Sequence, residues 1–537
     1  DTAYKVWRLG MTDDYDQEYL TLDAKHVEIL DETGRDRTGE FNIQDKDGVL
    51  YAFAKTVDTQ IPATGETVPG DPQPDDLKAY SEKTDKDYDP LKDPSIDQSL
   101  LGHTYQVVMP MTVTKVKDGH TVENTATQVT NDKRDKTNTV TNPLKEINPT
   151  KDVTVKVGGD SIDGKSVYLN HTFLYRLDSS ILPPDRAYQT VTDWGGTDQL
   201  NTEYDQYLGN WAVYASRDLY RDGQVLAAKG EKIAGSGFDS SKFGGNLFTV
   251  DAAENGKVTA DATQAYLDLV SADNEHEAGW VLYLQCKRIA VADEVPNTWT
   301  ETINGQPRES NKVVTKTPDM TPSIHLEKVD TPTLKQEGQE QADRDDPKQA
   351  LKMDADNIGI TFIITNTSKT DPATGDGAWF KASDLNLDDS TIVGDAHVDM
   401  DSLTYPADWD TLVLKPGESV SVTGTLKGVR EGETHTDRAI VTGTPLVECA
   451  PSNGDPFNDK TDGGEDTDPE YSTGDVTEID GKQLCADTQV TSNTDDWNGY
   501  RAKPLASTGT AVLGLAGGAL AVLLAGGSLL VFRKRHR

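Results

Sequence analysis

The sequence predicts an all-β chain, a row of tandem immunoglobulin-like β-sandwich domains followed by one C-terminal hydrophobic helix. Three observations carry this expectation. Short apolar–polar alternations recur along the chain, Gly- and Asp-rich turns separate them, and one block pattern occurs twice. Val153, Val155 and Val157 alternate with polar residues, as a half-buried strand requires, and Val420 and Val422 do so after the Pro416-Gly417 turn. Val281 to Cys286 is a strand-like run, and Cys286 in it reads as a buried free thiol. The segment from Asp261 to Ala272 reads as a helix, with apolar residues at Ala265, Leu269 and Ala272.

The repeat sets the domain count. Glu123-Asn124-Thr125-Ala126 is echoed by Pro296-Asn297-Thr298-Trp299, and Asn138-Thr139-Val140 by Asn311-Lys312-Val313. Both pairs keep the same internal spacing, since Asn124 to Asn138 and Asn297 to Asn311 are each 14 residues. Upstream, Thr12-Asp13-Asp14-Tyr15 is echoed by Val191-Thr192-Asp193-Trp194. Two domains of one type are therefore expected at 1–145 and 146–320, the first without its opening strand. A different sandwich follows at 321–491, with strands at Ile360–Asn366 and Ser419–Leu426 and an acidic loop. Residues 492–504 read as a polar spacer.

Composition narrows the function. The 537 residues hold 52 basic and 91 acidic side chains, a net charge of −39. Nucleic acid is an unsuitable partner, because phosphate recognition needs basic patches. Such acidity suits a well-solvated exterior. Of three cysteines, Cys449 and Cys485 flank the acidic segment and are expected to pair in an oxidising exterior.

The last 33 residues are the most specific. Leu505-Ala506-Ser507-Thr508-Gly509 precedes an apolar run from Thr510 to Phe532, and Arg533-Lys534-Arg535-His536-Arg537 closes the chain. The run is long enough to cross a bilayer, and the basic tail would stay cytoplasmic. Pentapeptide, span and basic stop in this order resemble a cell-wall sorting signal of the LAxTG variant, found in high-GC Gram-positive bacteria. The resemblance implies that a sortase cuts between Thr508 and Gly509 and joins Thr508 to peptidoglycan. The span would be discarded, so the membrane would hold only a precursor. A sorting signal requires secretion, yet the chain starts at Asp1 without a signal peptide. The expectation is therefore a C-terminal part of a longer protein.

Six blocks occur in order: Met109-Pro110-Met111-Thr112-Val113, Val122-Glu123-Asn124-Thr125-Ala126, Thr137-Asn138-Thr139-Val140, Pro149 to Val155, Phe173 to Leu177, and Tyr283 to Val291. Through them residues 1 to about 320 resemble the C-terminal stalk domains of antigen I/II adhesins. Cys286 stands where that family usually has Met, a substitution suited to a buried apolar position. The resemblance implies tandem sandwiches, each locked by an intramolecular Lys–Asn isopeptide bond. It also implies a place on a Gram-positive cell wall and binding to host glycoproteins, extracellular matrix or other microbes. The third domain looks instead like the generic immunoglobulin-like repeats of Gram-positive surface proteins.

An isopeptide needs three groups in a dry core. The lysine must be neutral to act as a nucleophile, which burial favours. An asparagine supplies the amide carbon, and a protonated carboxylic acid polarises its carbonyl and relays protons. Strand phase puts Lys151 on one face with Val153, Val155 and Val157, and Lys156 on the other. Asn311 shares a face with Val313, and Asp193 with Val191. Lys151, Asn311 and Asp193 are thus the expected trio of the second domain. The first domain keeps Asn138 and, as the repeat counterpart of Asp193, Asp14, although Asp13 is in phase with Met11; its lysine would precede residue 1. In the third domain Lys328 occupies an opening strand, with no partner evident in sequence.

No cofactor or metal is expected. Asp455, Asp459, Asp462, Glu465, Asp466 and Asp468 are hard oxygen donors suited to calcium, but their spacing is not that of an EF-hand. No HExxH, GxSxG or phosphate-loop pattern occurs. The chain therefore reads as a non-enzymatic, wall-proximal adhesin stalk whose partners are sortase, peptidoglycan and a host or microbial surface. Alternatives are that the tandem domains themselves adhere, or that the same anchor and spacer carries an enzymatic head.

Overall fold

A computed structural model describes residues 5–70, 74–117, 119–331, 344–451, 454–457 and 476–504. The pentapeptide Leu505–Gly509, the hydrophobic run and Asp459 to Asp468 lie outside the described residues. Among the described residues no helix is long and apolar enough to cross a membrane. Strands dominate the described residues, which include two α-helices, α1 (Leu77–Glu82) and α2 (Gln264–Ala272). Two compact units result: one holds the residues up to Thr317 with the short piece around Phe457, the other begins at Pro318.

The first domain is built on β1 (Leu9–Asp14), β2 (Phe41–Lys46), β3 (Val49–Ala54), β4 (Thr121–Asn124), β5 (Ala126–Thr130), β6 (Lys133–Lys136) and β7 (Val140–Pro143). Its main sheet has the order β6-β5-β1-β3-β2, and β4 pairs with β7. The second domain contains β8 (Thr150–Thr154), β9 (Thr172–Asp178), β10 (Trp194–Gln199), β11 (Asp205–Ala215), β12 (Lys232–Gly235), β13 (Phe248–Ala252), β14 (Lys257–Ala262), β15 (Trp280–Arg288), β16 (Ala292–Asn297), β17 (Trp299–Ile303), β18 (Gln306–Glu309) and β19 (Val313–Thr317). One five-stranded sheet runs β8-β9-β15-β11-β12, the other β13-β14-β10-β17-β18, and β16 pairs with β19. The second of these sheets reproduces the first domain's sheet strand for strand. The sequence repeat is therefore a structural repeat, with β1 matched to β10 and β5 to β17.

β15 is the middle strand of its sheet and reads Trp-Val-Leu-Tyr-Leu-Gln-Cys-Lys-Arg, buried at all but Lys287. A strand covered on both faces needs such a continuous run rather than alternation. Trp194, Trp280 and Trp299, from β10, β15 and β17, meet in the core with ring centroids 6.2 and 5.8 Å apart.

The third domain packs β20 (Ile324–Asp330), β21 (Leu351–Lys352), β22 (Asn357–Asn366), β23 (Asn386–Val393), β24 (His397–Val398), β25 (Ser419–Lys427), β26 (Thr434–Gly443), β27 (Leu446–Glu448), β28 (Thr477–Ile479), β29 (Lys482–Ala486), β30 (Val490–Thr491) and β31 (Asp495–Tyr500). Its sheets are β20-β22-β25-β24 and β21-β31-β26-β23, with a small third sheet β27-β29-β28. Cys449 and Cys485 are disulfide-bonded beside that small sheet.

Three local expectations are corrected. The valine alternation ends early: β8 stops at Thr154, a turn through Gly158 follows, and Val155 is 62% exposed. In α2 the buried face is Tyr266, Leu267 and Val270, not Ala265, Leu269 and Ala272, because the larger side chains turn inward, and the helix starts three residues later than expected. Residues 492–504 are not all spacer, since they contain β31. Its inward positions Asp495, Trp497 and Gly499 hold only one apolar side chain, and the intervening Asn498 is buried too, which hides the period of two.

Candidate functional site

Lys151 on β8 has a fully buried side chain. Its amine lies against the Asp198 carboxylate and 4.4 Å from the ring centre of Tyr175 on β9. Burial in this dry core lowers the Lys151 pKa, because charging the amine there is penalised, and Asp198 offsets part of the effect. Tyr175 is fixed from below: its hydroxyl donates to Asp205 Oδ2 at 2.8 Å, and Arg288 Nε donates to the other oxygen at 2.7 Å. The Arg288 guanidinium also donates to Thr315 and Thr317 on β19.

Asp198 sits on β10 directly opposite Trp299 on β17. One of its oxygens meets Lys151, while Oδ1 has no hydrogen-bond partner. Burial alternates through Val295, Asn297, Trp299, Glu301 and Ile303. Asn297, at the end of β16, therefore shares the inward side with Trp299 and Asp198. Asn297 is 6% exposed and its Nδ2 has no partner.

The first domain repeats this layout. Asp13 lies opposite Ala126, as Asp198 lies opposite Trp299, and Asn124 stands two residues before Ala126. Here the contact is direct, with Asn124 Nδ2 donating to Asp13 Oδ2 at 3.0 Å. Burial pushes the Asp13 pKa up, and the Asn124 hydrogen bond tempers it. Among the described residues of this domain no lysine is buried.

The other expected residues are elsewhere. Asn311 is exposed; its Oδ1 accepts from the Lys151 main-chain N–H at 2.8 Å and its Nδ2 donates to the Lys151 carbonyl at 2.9 Å. It clamps the β8 backbone from outside while the Lys151 side chain points inward. Asp193 precedes β10 and its Oδ1 accepts from Gly305 N–H in the β17–β18 turn. Asp14 and Asn138 are exposed. Sequence phase placed Lys151, but the structure gives it Asp198 rather than Asp193, with Asn297 rather than Asn311 on that side. A signal was present: Gly10-Met11-Thr12-Asp13 matches Gly195-Gly196-Thr197-Asp198.

Cys286, on β15, is a buried free thiol whose pKa burial pushes up, so it is held in its inert form. Asp455 accepts from Ser236 Oγ at 3.0 Å and from the Phe457 N–H at 2.8 Å. Among the described residues no group of three or more metal-ligating side chains converges.

Comparison with known proteins defines the class. Residues 148–318 match the family described as cell surface antigen C-terminus, and residues 1–144 match the cell surface antigen I/II C2 terminal domain. Through these two domains the chain belongs to the antigen I/II-type adhesins, of which they form the stalk. The matched families are surface-antigen domains, not enzyme families. An aggregation substance of Enterococcus faecalis is 31% identical over 324 residues, 59% of this chain and 21% of the relative. The chain thus spans about a fifth of that relative's length. Solved structures with similarity include the C-terminal domain of the Streptococcus agalactiae AgI/II polypeptide BspA and that of the Streptococcus pyogenes antigen I/II-family protein AspA. They are 19% and 22% identical, each at a TM-score of 0.40, covering 57% of this chain and 84% of theirs.

Proposed function

We propose that this chain is the wall-proximal stalk of a Gram-positive adhesin, joined to peptidoglycan by sortase at Thr508 and stiffened by a covalent lock in its second domain. The lock is an amide between Lys151 and Asn297 with Asp198 as the proton relay. One observation carries this reading: a fully buried lysine amine lies on Asp198, whose Oδ1 has no hydrogen-bond partner, and Asn297, buried with its Nδ2 unpartnered, shares that inward side. The neutral amine attacks Cγ of Asn297 while protonated Asp198 polarises its carbonyl. The nitrogen–carbon bond forms, Asp198 passes the amine's proton to the leaving nitrogen, and ammonia departs once. The first domain holds the acid and amide halves of the site in Asp13 and Asn124.

Such a lock suits a tether loaded between a wall and a bound host glycoprotein, matrix or microbial surface. The sorting sequence and the family support that setting.

Intact-mass measurement of the full chain under reducing conditions tests the lock. This lock should contribute a deficit of about 17 Da to the parent, traced to linked Lys151 and Asn297 peptides. Asp198→Ala should lose it, while Asp193→Ala and Asn311→Ala keep it. Separate full-mass Lys151 and Asn297 peptides from folded parent would remove the lock.

A further inference from the structure

The third domain holds a second lysine with no route to water. Lys328, on the opening strand β20, is fully buried, as are Asp389 on β23 and Asp437 on β26, in the facing sheet. Its amine lies on Asp389 and 2.6 Å from Asp437 Oδ1. His435 Nε2 is 3.2 Å from the other Asp437 oxygen, and Phe362 lies 5.3 Å beneath the amine. Neither Asp437 oxygen and neither His435 ring nitrogen makes a well-formed hydrogen bond. A cluster of charges in a dry sandwich core is costly to desolvate, and imperfect hydrogen bonding repays that poorly.

The strand register gives the cluster a meaning. In the first domain Asp13 opposes Ala126, two residues after Asn124; in the second Asp198 opposes Trp299, two residues after Asn297. In the third, Asp389 opposes Ala439, two residues after Asp437. An aromatic ring on the neighbouring strand underlies the amine in both lysine-bearing domains, Tyr175 below Lys151 and Phe362 below Lys328. Asp389 thus takes the place of Asp198, and Asp437 the place of the asparagine.

We infer that the third domain forms its own intramolecular amide, between Lys328 Nζ and Asp437 Cγ, with Asp389 as the proton relay. Lys328 first passes its proton to Asp437. The neutral amine then attacks the Asp437 carboxylic acid: the Nζ–Cγ bond forms and the Cγ–OH bond breaks. Asp389 takes a proton from the nitrogen and returns it to the departing hydroxyl, which leaves as water. No redox partner or co-reactant is needed, and the product replaces an ammonium and a carboxylate with a neutral amide. Burial holds the Asp389 acid at about 6, with the neighbouring Asp437 charge adding to the rise and Lys328 opposing it, so it can carry the relayed proton near neutrality. His435 lies against Asp437 as a positioning residue.

This inference uses the chemistry proposed for the second domain but is read separately, because its leaving group differs. The reduced full chain is digested and its linked peptides sequenced by mass spectrometry. The expected product joins the Lys328 and Asp437 peptides at about 18 Da below their sum, and Asp198→Ala leaves it in place. Asp437→Asn should still cross-link but lose about 17 Da as ammonia. Asp389→Asn, which keeps shape and volume, should lose the linked peptide while its near-ultraviolet circular dichroism stays that of a folded protein. Unlinked Lys328 and Asp437 peptides in folded parent and in Asp437→Asn would overturn the amide and leave an ion cluster only. A link from Lys328 to Asp389 would overturn the assignment of roles. The Lys151–Asn297 product is scored in the same digest, so loss of one link without the other shows which reading failed.

Discussion

Asp495 is buried on β31, where one carboxylate oxygen accepts from the Lys328 main-chain N–H, and Asp345 is its acidic neighbour. Burial first, and then Asp345, push its pKa up to about 8. An unfolded aspartate titrates near 4, so the folded state holds the proton more tightly. The stability this contributes is fully present below about pH 4 and is lost as pH rises toward 8. The melting temperature of the third domain should therefore fall from pH 5 to pH 8, and Asp495→Asn should flatten that fall by a few degrees. Calorimetry at both pH values checks it; equal slopes in parent and variant would refute it. Legibility at this scale divides by residue. Lys151 was readable because strand phase separates it from Lys156. Asp198 and Asn297 were not assigned, because Asp193 and Asn311 satisfied the same phase argument. Only the register across β10 and β17 shows which carboxylate reaches the amine. Lys328 had no partner in sequence because its carboxylates come from a different sheet, 61 and 109 residues later.

At the element scale, β10 must lie close to both neighbours to deliver Asp198. A Cβ at Gly196 would stand 2.5 Å from the Thr300 carbonyl oxygen and 2.6 Å from the Trp299 ring. Backbone cannot yield as a flexible side chain does, so β10 would shift off β17. Gly196→Ala should lower stability by about 1–3 kcal/mol and slow or abolish the 17 Da loss, although no chemical group of the site is changed. Time-resolved intact mass after expression reads the second effect and denaturant titration the first. Normal stability with complete cross-linking would show that this close approach is not needed. The elements themselves were legible where residues announce their period. β22, β25 and β15 carry continuous or alternating apolar side chains. β31 was missed because Asp495, Asp496 and Asn498 surround its one buried tryptophan, and the alternation is visible only once Asp495 is known to face inward.

At the scale of the whole molecule, the proposed locks would decide how the chain carries load. Tension entering at one terminus passes through each domain along its backbone. In the second domain an amide from Lys151 to Asn297 would carry it from β8 to β16 directly, so the intervening strands bear little of it. The same link would close a loop of about 150 residues and could stabilise by ~5 kcal/mol through the unfolded chain, by analogy with disulfides. The mechanical effect is the larger one, because a covalent bond does not yield to forces that unzip β-ladders. Stretched single molecules should therefore unfold the second domain only outside the lock. At about 3.4 Å per residue, the enclosed segment hides roughly 500 Å of contour length. Asp198→Ala should release that length in one added step at lower force, while Asp193→Ala should leave the traces unchanged. A parent chain that already shows the full extension would place the load on hydrogen bonds alone, and the stalk would then owe its stiffness to sheet geometry rather than to covalent bonds.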